Sequence, residues 1–301
     1  MDLTLTQESI NTIKALANDT RISIINLLQH QDLNISEIAN ALMISTSITT
    51  RHIKSLEDAG IINTYIKPHS IGQQKICHLK IDEINIRFPM KKHLEYQKKV
   101  IDIPVGSFTK YHATPTCGMA SEQDYIGILD EPRYFMIPER TQAQLLWFSS
   151  GYVEYSFFNP IPENGKIHLI EISFEIASEF PENNYVWPSD ITFHLNGSRI
   201  GEWTVPGNFA DVRGKLTPEW WPTNNSQYGL LKHLRITPVE THIDGEKISN
   251  FNLSNINISE NFYKIRFSVL ESSKHVGGLT LFGEKFGNTP QNIRVTIYYN
   301  E

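Results

Sequence analysis

Apolar residues in the first sixty positions recur at intervals of three and four. Ile10, Ile13 and Ala17, then Ile22, Ile25 and Leu28, fall on one side of a helical turn, the spacing of amphipathic helices. Asn34 is followed three positions on by Glu37, a pairing that starts a helix by reciprocal capping, and this short helix should end near Leu42. Ser45 is placed to cap a further helix through Ile48, Arg51, Ile53 and Leu56, with Ile53 and Leu56 inward and Ile48 close to that face. Gly60 should stop it, because glycine enters the left-handed region cheaply. The period then changes. IINTYIK, a turn over Pro68–Gly72 and QQKICHLKI predict a β-hairpin, and helices followed by such a hairpin make a winged helix-turn-helix over residues 1–82.

From about residue 150 a period of two dominates. Ile170, Ile172, Phe174 and Ile176 alternate with Glu171, Ser173 and Glu175, as in a half-buried strand. Tyr263 to Val269 and Ile293 to Tyr299 alternate likewise, while Asn196–Gly197 and Asp244–Gly245 supply hairpin turns. The expected fold class is α+β and multidomain: the winged helix-turn-helix, then an all-β antiparallel sandwich, jelly-roll-like, over residues 111–301 as effector-binding domain. Residues 83–110 link the two. KKHLEYQKKVID within them reads either as a short dimerisation helix or as a solvated linker.

Composition narrows the classes. The chain has 301 residues, 40% hydrophobic and 20% charged, which fits two folded domains and not wholesale disorder. No apolar run reaches membrane-spanning length and no signal peptide is visible, so a cytoplasmic, membrane-free protein is expected. Two cysteines, Cys77 and Cys117, make no disulfide framework. The net charge of −6 is uneven, with +1 over residues 1–103 and −7 over the rest. A nucleic-acid partner should therefore meet the N-terminal part.

The segment STSITTRHIKSLEDAG is the most legible chemistry. On a helix, Thr46, Ser47, Thr50 and Arg51 cluster near the N-terminal end, opposite Ile53 and Leu56. A recognition helix brings that end to base edges in the major groove, where Arg51 can pair with guanine through two bonds. His52 and Lys54, further along, suit the phosphate backbone. Ser45 and Thr49 complete the candidate DNA-reading set on this helix.

These residues carry a resemblance. ALANDTRISIINLL and NISEIANALMISTSITTRHIKSLEDAGII resemble the second helix and the helix-turn-helix of ArsR-type winged helix regulators, over about a quarter of the chain. The resemblance implies a homodimer on a two-fold operator in double-stranded DNA, read by the helix residues above and by Tyr65, Lys67, His69 and Lys75 of the wing. It implies repression as the sign of control. The chain also departs from that family. Where thiol-based members carry paired cysteines it has NISEIANAL, and Cys77 and His78, adjacent on a strand, point to opposite faces. No metal, cofactor or catalytic residue is expected.

In the C-terminal half, Trp187, Trp203, Trp220 and Trp221 fall within 35 positions, among Asp190, Arg213 and Tyr228. Aromatic faces beside polar groups suit a small molecule, a sugar among the candidates. The expected effector site is Trp187, Asp190, Arg213, Trp220, Trp221, Tyr228 and His275; filling of the sandwich core is the competing use of the tryptophans. Arg133, Tyr134, Arg140 and Trp147 are weaker candidates. PTCGMAS, DEPRYF, WPSDITFHLNG, GLLKHLRI and KHVGGLTLFG resemble the C-terminal region of little-characterised bacterial helix-turn-helix regulators, which implies a regulator and no particular ligand. The expectation is thus a transcriptional regulator, not an enzyme, whose sandwich senses a small molecule. The alternatives are a carbohydrate-binding or carbohydrate-active protein dimerised by its winged helix, and a regulator with a purely structural sandwich.

Overall fold

The computed structural model describes residues 1–7, 9–69, 72–81, 83–88, 96–162, 164–182, 184–257 and 260–300, with the side chains of residues 2, 68, 69, 72, 73 and 87 also outside that set. The chain divides into two compact units, residues 1–94 and 95–301.

In the N-terminal unit, β1 (Asp2–Thr4) precedes α1 (Ile10–Leu16) and α2 (Asp19–Leu28). Then come β2 (Leu33–Asn34), α3 (Ile35–Ala41), α4 (Thr46–Asp58), β3 (Ile62–His69), β4 (Gly72–Leu79) and β5 (Asn85–Arg87). α3 begins with the reciprocal cap read from the sequence: Asn34 Oδ1 accepts the Glu37 N–H at 2.9 Å, and Glu37 Oε2 accepts the Asn34 N–H at 2.7 Å. α4 ends at Gly60, whose φ of +71° lets the Ile61 N–H turn back to the Leu56 carbonyl. β3 and β4 form the hairpin, with β2 on the outer edge of β4.

Of the expected stripes of the first two helices Leu28 is buried as expected, and the other buried positions lie one or two residues away. Thr12 and Ala15 of α1, and Ile24 and Leu28 of α2, are buried, whereas Ile22 is 40% exposed. Both helices are apolar on more than one side, so periodicity alone could not choose the inward one. The core joins these residues to Ile38, Ile53, Leu56, Ile61, Ile62 and Cys77.

The C-terminal unit is a mostly antiparallel β-structure in two layers. β6 (Gln97–Ile103), β7 (Lys110–Ala120), β8 (Leu145–Phe158) and β9 (Lys166–Ala177) are followed by the hairpin β10 (Ser189–Leu195) and β11 (Ser198–Val205). β12 (Leu230–Ile236), β13 (Thr241–Ile243), β14 (Glu246–Ser249), β15 (Phe262–Val269), β16 (Leu279–Phe282) and β17 (Ile293–Asn300) complete it. One layer runs β7-β8-β15-β10-β11 and the other β6-β17-β9-β12-β13-β14, while β16 pairs with β8 on one edge and β9 on the other. The layers meet through aromatic contacts: the Phe174 ring of β9 lies 4.8 Å from Phe267 of β15 and 5.6 Å from Phe193 of β10. Asn196 and Gly197, both at positive φ, close the β10–β11 hairpin.

Two expectations need correction. KKHLEYQKKVID does not supply a helix at its described end: Gln97–Ile103 is β6, paired along β17 and covering that strand's edge. Val100, Ile101 and Ile103 are β-branched and favour the extended form; residues 89–95 lie outside the described residues. β9 is not half-buried either. It is interior to its layer, and its polar side is covered as well: Glu175 is 1% exposed and accepts the N–H groups of Gly229, Asn288 and Thr289 at 2.7–2.8 Å.

Candidate nucleic-acid interface and aromatic cleft

Ser45 opens α4 by accepting the Ile48 N–H at 3.3 Å. The helix buries Thr49, Ile53 and Leu56. Thr49 therefore does not belong to the DNA-reading set: it is fully buried, and its hydroxyl donates to the Ser45 carbonyl at 3.0 Å. It lies four residues before Ile53, one turn away on the same side, and bonding to its own backbone removes the cost of burying its hydroxyl. Ile48 is displaced the other way, 48% exposed, about 100° round the helix from Thr49.

Opposite the buried stripe, Ser47, Arg51 and Lys54 follow one another at four and three residues, all exposed. Among the described residues neither Arg51 nor Lys54 makes an ion pair. Thr46 and Thr50 are exposed beside them, the Thr50 hydroxyl donating to the Thr46 carbonyl at 2.7 Å. His52 differs. It is half-buried, its Nδ1 has no hydrogen-bond partner, and burial, followed by the charges of Arg21 and Arg51, holds its imidazole below the usual histidine range. That shift disfavours the charged form that a phosphate contact would use.

The hairpin contributes less than expected. Lys75 Nζ sits 3.0 Å from Glu57 Oε2, and the same carboxylate accepts the Thr64 hydroxyl, so this cation ties β4 to α4. The Tyr65 hydroxyl donates to Asp32 Oδ2 at 3.1 Å, while Asp32 Oδ1 meets His78 Nδ1 at 2.8 Å, a contact that leads in holding the Asp32 carboxyl below its usual range. Lys67 is exposed and, among the described residues, has no such tie. The side chain of His69 lies outside the described residues.

The seven expected effector residues do not converge. The Arg213 guanidinium donates to the Pro218 carbonyl at 2.5 Å and reaches those of Glu219 and Trp221 at 3.4 Å, bracing its own loop. Asp190 is buried and accepts the Thr204 hydroxyl at 2.7 Å and the His275 N–H at 2.9 Å, with His275 Nδ1 at 3.1 Å. Both residues thus fasten a loop to β10. Tyr228 stacks on Phe209 and donates to Asp211 Oδ1 at 2.6 Å, and Trp187 meets Phe180 edge-on at 4.7 Å. Trp220 Nε1 donates to the Glu122 carbonyl at 2.8 Å. Of the weaker candidates, Arg140 donates to the Gly106 carbonyl at 2.5 Å across the Phe108 ring, and Arg133 pairs with Glu131 at 3.3 Å.

Trp221 alone of the seven lines a cleft of about 160 Å³. Tyr125, Trp147, Phe180 and Trp221 wall it, with ring centroids 5.4 Å apart for Tyr125–Trp221 and 5.8 Å for Trp147–Trp221. Its polar lining comprises Thr116, Asp130, Glu179, Glu182, Asn225, Ser226 and Thr280. Glu179 accepts the Thr280 hydroxyl at 3.0 Å and the Thr116 hydroxyl at 3.4 Å. Burial, against those hydrogen bonds and with a smaller push from Asp130, raises its carboxyl to about 8.

Residues 18–64 match the family model described as bacterial regulatory protein, arsR family. That stretch is an ArsR-family helix-turn-helix domain, running from the cap of α2 into β3. Among solved structures, reduced HlyU from Vibrio cholerae N16961 is 26% identical over 25% of this chain and 74% of its own, with a TM-score of 0.22. The transcriptional regulator HlyU from Vibrio vulnificus CMCP6 is 25% identical over the same shares, also at 0.22. The CBM36-1 domain of a multidomain xylanase from the hindgut metagenome of Trinervitermes trinervoides is 7% identical over 67% of this chain and 96% of its own, at 0.29. No curated protein matches the chain.

Within the ArsR-family domain, two residues without an assigned role in the sequence prove structural. Arg21 donates to the carbonyls of Ala15 and Lys14 at 2.5 and 2.6 Å, closing the end of α1, and Asp32 gathers Tyr65 and His78 of the hairpin. In the C-terminal unit, Glu179, Asp130, Tyr125 and Thr116 escaped sequence reasoning because strands and loops distant along the chain assemble them. The sole advance signal was the tryptophan content.

Proposed function

We propose that the chain is a DNA-binding transcriptional regulator that grips an operator as a homodimer, with repression as the direction of control. The observation that carries this reading is the outer side of α4. Ser47, Arg51 and Lys54 stand exposed there, opposite the buried Thr49, Ile53 and Leu56, within an ArsR-family helix-turn-helix domain. Thr46, Thr50 and Lys67 support the same grip; Lys75 and His52 do not. The reading assigns the jelly-roll-like sandwich the part of sensor for a small molecule, assigns the chain no catalytic step and places it in the cytoplasm. No helix among the described residues is long and apolar enough to cross a membrane.

For sensing to matter, the effector must bind one arrangement of the regulator more tightly than the other. A coupling of about 1–3 kcal/mol changes operator affinity roughly 5–150-fold. The test is fluorescence anisotropy on DNA from upstream of the protein's own gene, titrated over a range of salt. Steep salt dependence is expected, because every phosphate contact releases counterions. Arg51→Ala should weaken binding by about 1–3 kcal/mol. Unchanged binding by that variant overturns the α4 assignment.

A further inference from the structure

We propose that the aromatic cleft of the C-terminal unit binds a small primary ammonium ion, with the Glu179 carboxylate on one side of it and the Trp147 and Trp221 pair on the other. The proposal rests on the sensor reading above and gives it a site and a ligand class.

Three observations converge. The ionisable side chains lining the cleft include the carboxyl groups of Asp130, Glu179 and Glu182, and among the described residues no Lys, Arg or His lines it. The walls are aromatic, and the faces of such rings attract cations. Ser226 is 5% exposed, lines the cleft, and its hydroxyl oxygen has no hydrogen-bond partner. A buried hydroxyl left open in this way can accept an N–H donor. An alkylammonium head supplies N–H donors and positive charge together. A neutral sugar supplies no charge and an anion is repelled. Size agrees as well: a cavity of about 150 Å³ admits benzene, so one of about 160 Å³ suits a head group with a short chain.

The free cleft keeps Glu179 protonated at neutral pH, since burial raises its carboxyl to about 8. The titratable groups facing it there are Asp130, Glu182 and the Tyr125 phenol. An arriving ammonium ion stabilises the carboxylate and displaces that proton to solvent. Affinity then increases with pH, by about tenfold from pH 6 to 7 and about fivefold from pH 7 to 8, where an alkylammonium ion stays charged.

The experiment titrates full-length protein with butylammonium, 1-butanol, butyrate and methyl galactoside, read by calorimetry and tryptophan fluorescence at pH 6, 7 and 8. Saturable binding of butylammonium alone, tightening with pH, is expected. Glu179→Gln should weaken it at least tenfold at pH 8 and abolish the pH dependence, and Glu182→Gln should weaken it less. Should Glu179→Gln fail to fold by circular dichroism, Ser226→Ala replaces it, with a severalfold loss expected. No binding of butylammonium, equal binding of 1-butanol or methyl galactoside, or unchanged affinity in the variant used overturns the proposal. Operator anisotropy with and without butylammonium is measured alongside. Binding that leaves operator affinity unchanged overturns the sensor reading while the ammonium site stands.

Discussion

Glu57 Oε2 lies 3.0 Å from Lys75 Nζ, so a cation expected to reach for phosphate is already engaged within its own domain. Both side chains are more than a third solvent-exposed, and such pairs contribute at most about 1 kcal/mol. Lys75→Ala should therefore change stability by less than about 1 kcal/mol and leave the salt dependence of operator binding as it was. Lys54→Ala should reduce that slope by about 1, the loss of one phosphate contact. Parallel salt titrations of the two variants make the comparison.

Thr49→Val should retain wild-type operator affinity, because its side chain never meets solvent. Ser45→Ala should cost about 1 kcal/mol of stability through the lost cap. Urea denaturation and anisotropy on both variants separate folding from recognition.

How far the sequence reaches is plain from these helices. The Asn34–Glu37 cap, the Ser45 cap and the Gly60 stop rest on contacts three to five residues long, which local chemistry dictates. The inward side of α1 and α2 depends on neighbours far along the chain, and residues such as Ile22 gave no means of choosing. Hairpin turns at Asn196–Gly197 and Asp244–Gly245 were legible for the same local reason. The cleft was not. Thr116, Glu179 and Thr280 meet only once β7, β9 and β16 have found their places.

Cys77 and Cys117 are 0% and 1% exposed, and burial pushes their thiols up to about 11 and about 12. Neither should react with a disulfide reagent at pH 8 in the native protein, while both should react in urea. Absorbance at the released thiolate's band reads the count; a fast native reaction would contradict the structure.

Glu171, with Arg235 Nε at 2.5 Å and His233 Nδ1 at 3.6 Å, has its carboxyl lowered to about 2, its ion and hydrogen-bond partners outweighing burial. Its contribution is present in full above the unfolded-state value near 4.5 and is lost as pH falls through about 2, amounting to about 3 kcal/mol. Melting temperature should fall steadily from about pH 4.5 to about pH 2, and Glu171→Gln should flatten the fall. Calorimetry from pH 5 to pH 2 on both proteins is the check.

β16 is four buried residues long, yet its backbone is stitched to β8 on one flank and to β9 on the other. Thr280, which reaches the aromatic cleft, sits on that stitch. A guest bound there would rest on a strand shared by both leaves of the sandwich.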